Sequence, residues 1–272
     1  MQEEEFSDSK KNNKPMIAII IVVVVLLIVG VLFSLGFNVP GIPFFSGAPA
    51  QVLVIGQLSM GERIVLDNLS ASYNYQERTA KDLESSSIEE LGDYDIIILD
   101  QSMTEKSISS DLGSSLKSYV EKGGKLIVVK NSAIRLSLGI DGVEAGDSIG
   151  WANTLGDISP ADCVLTNGNE PSCKEGNEIP IVARILKEED HPIMYGIDIA
   201  PTNDLVPYEL GVLPIQAASG AKIVAYFDVE NNPQTFPAII EKKNFPLGRV
   251  IYFNYDPGMT PTILKNTLAY LK

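Results

Sequence analysis

YDIIILDQSMTEKSISSDLGSSLKSYVEKGGKLIVVKNSA, residues Tyr94 to Ala133, sets two short apolar runs on either side of a segment with helical periodicity. An apolar run from Ile96 to Leu99 ends at Asp100 and a polar loop. Leu112, Leu116, Tyr119 and Val120 then recur at helical spacing until Gly123-Gly124 stops them, and a second apolar run, Leu126 to Val129, follows. Two short buried runs joined by an amphipathic helix predict a parallel crossover, because parallel strands need a long connection. Ligands of open α/β sheets sit at the carboxyl ends of such strands. Here those ends are Asp100-Gln101 and Lys130-Asn131-Ser132, the candidate ligand-binding rim.

Working outward, the same rhythm extends in both directions. Val52 to Ile55 reads as a buried strand broken by Gly56, and Met60 to Tyr73 as a helix with Met60, Ile64, Val65 and Leu69 on its inner face. A weaker strand falls near Tyr75 to Thr79 and a short helix near Ser87 to Leu91. The βαβαβ order predicts an α/β fold with a doubly wound, mostly parallel sheet and helices on both faces. Beyond Ala133 the pattern changes. Residues Arg135 to Gly176 are rich in Gly, Asn, Asp and Ser and read as an insertion with little regular structure, in which Trp151 is a local apolar anchor. Ile179 to Leu186, Val206 to Ile215, Ala221 to Asp228 and Ala238 to Glu241 are extended segments. Gly248 to Asn254 is a strand, and Thr260 to Leu271 is a closing helix with Ile263, Leu264, Leu268 and Leu271 inward.

The chain has 272 residues, and 45% of them are hydrophobic. Part of that fraction is MIAIIIVVVVLLIVGVLFSLGF, Met16 to Phe37, which carries no charge and is long enough to cross a ~30 Å hydrocarbon layer at ~1.5 Å per residue. It reads as one transmembrane helix and thus as contact with a lipid bilayer. A cleaved secretory signal is the alternative, although an apolar core of ~7–15 residues is usual there. Lys10, Lys11 and Lys14 precede the run and no charge follows it until Glu62, so the N-terminus is expected in the cytoplasm and the rest outside. The resulting plan is a cytoplasmic tail (1–15), a single-pass anchor at the cell membrane (16–37), a Pro/Gly-rich linker (38–50) and an extracytoplasmic α/β domain (51–272) with its insertion (135–176). Of 35 acidic and 21 basic residues the tail takes four and three, leaving 31 and 18. Such an acidic exterior repels phosphate backbones and argues against nucleic-acid binding.

Cys163 and Cys173 flank VLTNGNEPS, and outside the cell so close a pair reads as a disulfide. One histidine and two sulfurs are too few for a zinc centre, and no Asp/Asn ladder of EF-hand type occurs, so no metal is expected. Nor is a cofactor. Asn68-Leu69-Ser70 is a glycosylation sequon on the expected exterior.

"YDIIILDQ", a helix closed by "EKGGKLIVVKNSA", a later "DHPIMYGI" and a late "FPLGRVIYFNYDPG" with a final helix together resemble the class I glutamine amidotransferase-like superfamily. The likeness is nearer to its non-amidotransferase branches, trehalose-utilisation-type proteins and the auxiliary proteins of gliding-motility transporters, and covers roughly Gln51 to Lys272. It implies a flavodoxin-like sheet. In the superfamily's catalytic members a cysteine sits in a strained elbow directly after the strand that follows the Gly-Gly pair, and a histidine and an acid near the C-terminus activate it. The elbow position here is Lys130, and no histidine follows His191. Amidotransferase chemistry is contradicted residue by residue.

Three functions remain on these residues. The first is a non-enzymatic exterior module that binds a protein partner in a membrane complex, or a carbohydrate. The second, implied by the resemblance, is an auxiliary subunit of an ABC-type transporter. The third is a hydrolase with an atypical site at Lys130 and Ser132, with His191 as the one available base. Against it, Lys130 reads as a solvated charge or as the partner of an acid such as Asp100, and His191-Pro192-Ile193 as a turn.

Overall fold

The computed structural model describes residues 48–84, 88–137, 144–164, 171–173, 177–229 and 235–272. The expected membrane span, the tail and nearly all of the linker lie outside them. Among the described residues no helix is long and apolar enough to cross a membrane.

The first half of the domain carries β1 (Ala50–Gly56), α1 (Met60–Asn68), β2 (Tyr73–Arg78), α2 (Ile88–Gly92), β3 (Ile96–Asp100), β4 (Ser107–Ser109), α3 (Ser110–Glu121) and β5 (Lys125–Val129). Short strands β6 (Arg135–Ser137), β7 (Glu144–Ile149) and β8 (Ala161–Cys163) follow. The second half holds β9 (Ile179–Lys187), β10 (Ile199–Ala200), β11 (Tyr208–Val212), β12 (Ile215–Ala217), β13 (Ala221–Val229), β14 (Phe236–Asn244), β15 (Gly248–Phe253) and α4 (Pro261–Leu271).

The main sheet runs β10-β9-β13-β14-β15-β5-β3-β1-β2, with β11 also paired to β9. From β15 to β2 every neighbouring pair is parallel. From β14 outward the pairs are antiparallel, since β13, β14 and β15 follow one another through short connections that permit only hairpins. The parallel half is covered on both faces, which explains its unbroken apolar runs. Ile96 and Ile98 of β3 join Val52, Val54, Ile127, Val129, Ile251 and Phe253 beneath α1 and α4. Ile97 and Leu99 join Leu53, Ile55, Leu126, Val128 and Tyr252 beneath α2 and α3. The period-2 alternation of each strand thus feeds two cores.

Two expectations need correction. Helix α1 stops at Asn68, and Met60 and Ile64 are 75% and 53% exposed; Glu62, Val65 and Leu66 are the buried positions, with Leu69 partly buried. Ser59 explains the shift in phase. It is the N-cap of a reciprocal capping box with Glu62, which turns that carboxyl inward. The insertion also holds more regular structure than its composition suggests. β6 bridges β4 and β7, and β8 pairs with β12. The Cys163–Cys173 disulfide is present, and Trp151 is buried against Tyr252, edge to face at 5.4 Å.

Candidate functional site at the carboxyl edge of the parallel strands

The chain leaves β5 through a left-handed turn. Lys130 has φ 49° and Ala133 φ 54°, conformations that L side chains adopt only at a cost. The Lys130 N–H donates to the Phe253 carbonyl at 2.7 Å, so the turn begins while the strand is still paired to β15. Its side chain reaches outward. Lys130 Nζ meets Glu178 Oε2 at 3.1 Å, just before β9. The expected partner Asp100 does not take this lysine, because its carboxyl is turned toward Ser102 and Glu62.

The residues behind Lys130 are tied down. Ser132 Oγ donates to the Val129 carbonyl at 2.6 Å and accepts from the Gln101 N–H at 2.7 Å. Gln101 Nε2 donates to the carbonyls of Glu105 and Ser107, and its Oε1 accepts from the Ala133 N–H at 2.8 Å. The insertion closes the outer side: Trp151 Nε1 donates to the Ser132 carbonyl at 2.8 Å, Thr154 Oγ1 to that of Ala133 at 2.5 Å, and the Gly150 N–H to that of Ile134 at 2.8 Å. Asp100, Gln101, Asn131 and Ser132 are all buried, and only Lys130 reaches solvent. The Asn131 Oδ1 has no hydrogen-bond partner among the described residues. The five rim residues are therefore brought together. Four of them are withdrawn beneath the surface, and a Ser132 hydroxyl already bonded on both sides is poorly placed as a nucleophile.

A second cluster occupies the carboxyl ends of β1 and β3. Gly56 has φ 116°, and a Cβ there would lie 1.8 Å from the Asp100 carbonyl, so only glycine permits β1 to turn off so close to β3. The turn delivers Ser59, whose hydroxyl donates to Asp256 Oδ1 at 2.9 Å and whose N–H donates to Glu62 Oε2 at 2.8 Å. Glu62 Oε1 has no hydrogen-bond partner among the described residues, and the Asp100 carboxyl acts on it from close by. One proton held between the two carboxyls would satisfy both. Burial first, then the neighbouring Asp100 charge, holds Glu62 well above the usual carboxylate range; burial raises Asp100 too, against hydrogen bonds from Glu62 and Ser102. Among the described residues no group of three or more His, Cys, Asp or Glu side chains is placed to hold a metal ion.

Beside this edge lies an open cleft of about 360 Å³, whose lining includes Thr79, Glu84, Thr104, Glu105, Ser107 and Ser109. Hydroxyls come from Thr79, Thr104, Ser107, Ser109 and Ser137, beside the charged Lys81, Glu84 and Glu105 and the apolar Ala80 and Ile108.

His191 lies elsewhere and does not meet Lys130 or Ser132. Its Nδ1 accepts from the Ile193 N–H at 3.3 Å, capping the short turn Pro192–Met194, which leaves Nε2 to donate to Glu241 Oε2 at 3.2 Å. Tyr270 donates to Glu241 Oε1 at 2.7 Å. Burial pushes the Glu241 carboxyl up, but the hydrogen bonds from His191 and Tyr270 and the nearby positive charge outweigh it and hold the group below its ordinary range. The sequence reading missed Glu62, Glu178, Asp256 and Glu241. Only the first had a local signal, the Ser59-x-x-Glu62 capping box.

No protein-family model matches the chain, and a search of curated proteins finds no match. Solved structures do resemble it. A ThuA-like protein from Bacteroides uniformis aligns with a TM-score of 0.52 at 14% identity, over 86% of this chain and 95% of that one. A β-galactosidase from Bacillus circulans sp. alkalophilus aligns at 0.51 and 14%, over 82% of this chain but only 30% of the enzyme. A GMP synthase subunit from Thermoplasma acidophilum aligns at 0.41 and 10%, over 83% and 95%. At such identities the likeness shows the fold alone. It is a mixed α/β fold whose central sheet is parallel from β15 to β2 and antiparallel beyond.

Proposed function

We propose that this protein is a non-catalytic, amidotransferase-like binding module, anchored by its N-terminal apolar segment and displayed outside the membrane as part of a membrane complex. One observation carries the reading. The chain retains a left-handed elbow after β5, yet the residue in it is a lysine paired with Glu178, and the hydroxyl and amide behind it are spent on backbone groups. The chain's one histidine, His191, is engaged with Glu241 and Ile193, and the Glu178 carboxylate beside Lys130 is held in the ion pair. What such an edge offers is surface: a lysine–glutamate pair and a hydroxyl-lined cleft, suited to hydrogen bonding with a protein loop or a carbohydrate.

The test is chemical. Lys130 is the only group of the rim that reaches solvent, so covalent catalysis there would pass through an imine. Incubation of the full-length protein with pyridoxal and borohydride, followed by peptide mass spectrometry, is expected to label Lys130 no more than exposed lysines such as Lys122. Preferential reduction onto Lys130, together with a turnover lost in Lys130→Ala, would overturn the binding reading.

A further inference from the structure

The opposite end of the sheet carries a feature that the binding reading does not use. β14 and β15 are joined by a hairpin whose tip, Phe245-Pro246-Leu247, leaves Phe245 93% and Leu247 70% exposed. Adjacent bulky apolar side chains so far out in water are costly unless something covers them. The tip is held firmly: Lys125 Nζ donates to the Leu247 carbonyl at 2.6 Å and to that of Gly123 at 2.7 Å. Cations surround it in a chain whose net charge is −14. Lys243 and Arg249 face each other across the hairpin just behind the tip and share one buried carboxylate, Glu241, at 3.6 and 4.0 Å, so the pair keeps a net positive charge; Lys122 and Lys125 bracket the Gly123 turn on which Leu247 rests. The nearest exposed acid on that turn, Glu121, lies 4.0 Å from Lys117.

Position says what the tip meets. Arg249 on β15 is level with Lys125 on β5, Lys125 with Ile96 on β3, and Ile96 with Val52 on β1, all in parallel register. The tip therefore shares an end of the sheet with Ala50, where the chain arrives from the apolar segment, and sits three strand spacings away, roughly 15 Å. Only the 12 residues 38–49 separate that segment from β1, a reach of at most ~40 Å. An aromatic and an aliphatic side chain ringed by lysine and arginine is the composition of a segment that seats in the headgroup layer of an anionic bilayer.

We infer that the Phe245–Leu247 hairpin is a second membrane contact, which seats in the lipid interface, so that the Lys130 edge and its cleft, at the other end of the sheet, point away from the bilayer toward a partner. This rests on the anchored reading above. The test is built to separate the two. Full-length protein carrying one added cysteine, L247C, M60C or V25C, is spin-labelled and reconstituted into phosphatidylcholine–phosphatidylglycerol vesicles, and the label's collisions with lipid-soluble oxygen and with an aqueous nickel chelate are compared. Met60, at the other end of the sheet, should remain open to nickel. The label at 247 is expected to favour oxygen over nickel severalfold more than that at 60. Equal nickel access at 247 and 60, with the label at 25 in lipid, overturns the hairpin contact and spares the anchor. A label at 25 in water overturns the anchor, and the hairpin is then judged by its own label: lipid contact upholds it and nickel access overturns it.

Discussion

Lys130 and Glu178 pair at 3.1 Å across 48 residues of sequence, joining the elbow after β5 to the entry of β9. The pair is partly open to water and contributes at most about 1 kcal/mol, whereas the left-handed backbone beneath it costs a non-glycine residue about 1–2 kcal/mol. The backbone therefore decides the outcome of substitution. Lys130→Gly is expected to stay within about 1 kcal/mol of the parent, relief of strain offsetting the lost pair and the extra freedom of the unfolded chain. Lys130→Val, whose branched Cβ resists φ 49°, should cost about 1–3 kcal/mol. Urea midpoints measure both, and a harmless valine would show that the left-handed turn at Lys130 carries no strain.

Glu62 and Asp100 make stability depend on pH in an unusual direction. Both carboxyls are raised above their ordinary values, Glu62 the more clearly. The unfolded chain loses the Glu62 proton near pH 4.5 while the folded one keeps it, so above that pH the folded state binds more protons and its stability falls as pH rises. The loss is about 1.4 kcal/mol for each pH unit between the unfolded and folded values. Glu62→Gln keeps an oxygen for the Ser59 N–H and has no proton to lose. Melting scans from about pH 5 to 8 should show the parent declining more steeply than Glu62→Gln. Parallel curves would mean that the pair does not share a proton.

How much of this could be read from the sequence follows from what each feature depends on. The central strands and α3 are periodic in their own residues, so Ile96 to Leu99, Leu126 to Val129 and the Leu112–Leu116–Val120 face were legible in the chain itself, as were the four inward positions of α4. The phase of α1 was not. Met60 and Ile64 look like a core face, but the capping box at Ser59 and the need to bury Glu62 beside Asp100 rotate them outward. The antiparallel wing was seen only as extended segments, because pairing of β9 with β13 is a matter of long-range register. The five rim residues lie where β3 and β5 end. Their burial was not legible, since it depends on Trp151 and Thr154 of an insertion whose composition suggested a loose loop.

Glu241 accepts from both His191 and Tyr270 inside the domain. Removing the carboxylate in Glu241→Ala strands a buried imidazole N–H and a phenol, an expected loss of about 2–4 kcal/mol in chemical denaturation. Its depressed value gives the opposite pH sign to Glu62. The stabilisation is present above the ordinary carboxylate range and is lost as the pH falls through the folded value below it. Glu241→Gln should therefore flatten the acid side of the stability curve, and an unchanged acid limb would show that the loss there arises from other groups.

The Cys163–Cys173 disulfide bears on compartment as well as on stability. It closes a loop of separation 10, which in the chain-entropy account stabilises by about 2–3 kcal/mol, and it ties β8 to the segment whose Ser172 hydroxyl donates to the Pro214 carbonyl at 2.5 Å. Such a bond persists in an oxidising compartment and not in a reduced cytosol. Denatured but unreduced protein taken directly from cells is expected to give no alkylated cysteine by mass spectrometry, and reduced protein two. Protease added to right-side-out cells should likewise remove the chain beyond Gln51. The two measurements constrain each other. Two free thiols together with a protected domain would put it on the cytoplasmic side, and the lysines before Met16 would then have to face outward, against the ordinary charge asymmetry of membrane insertion.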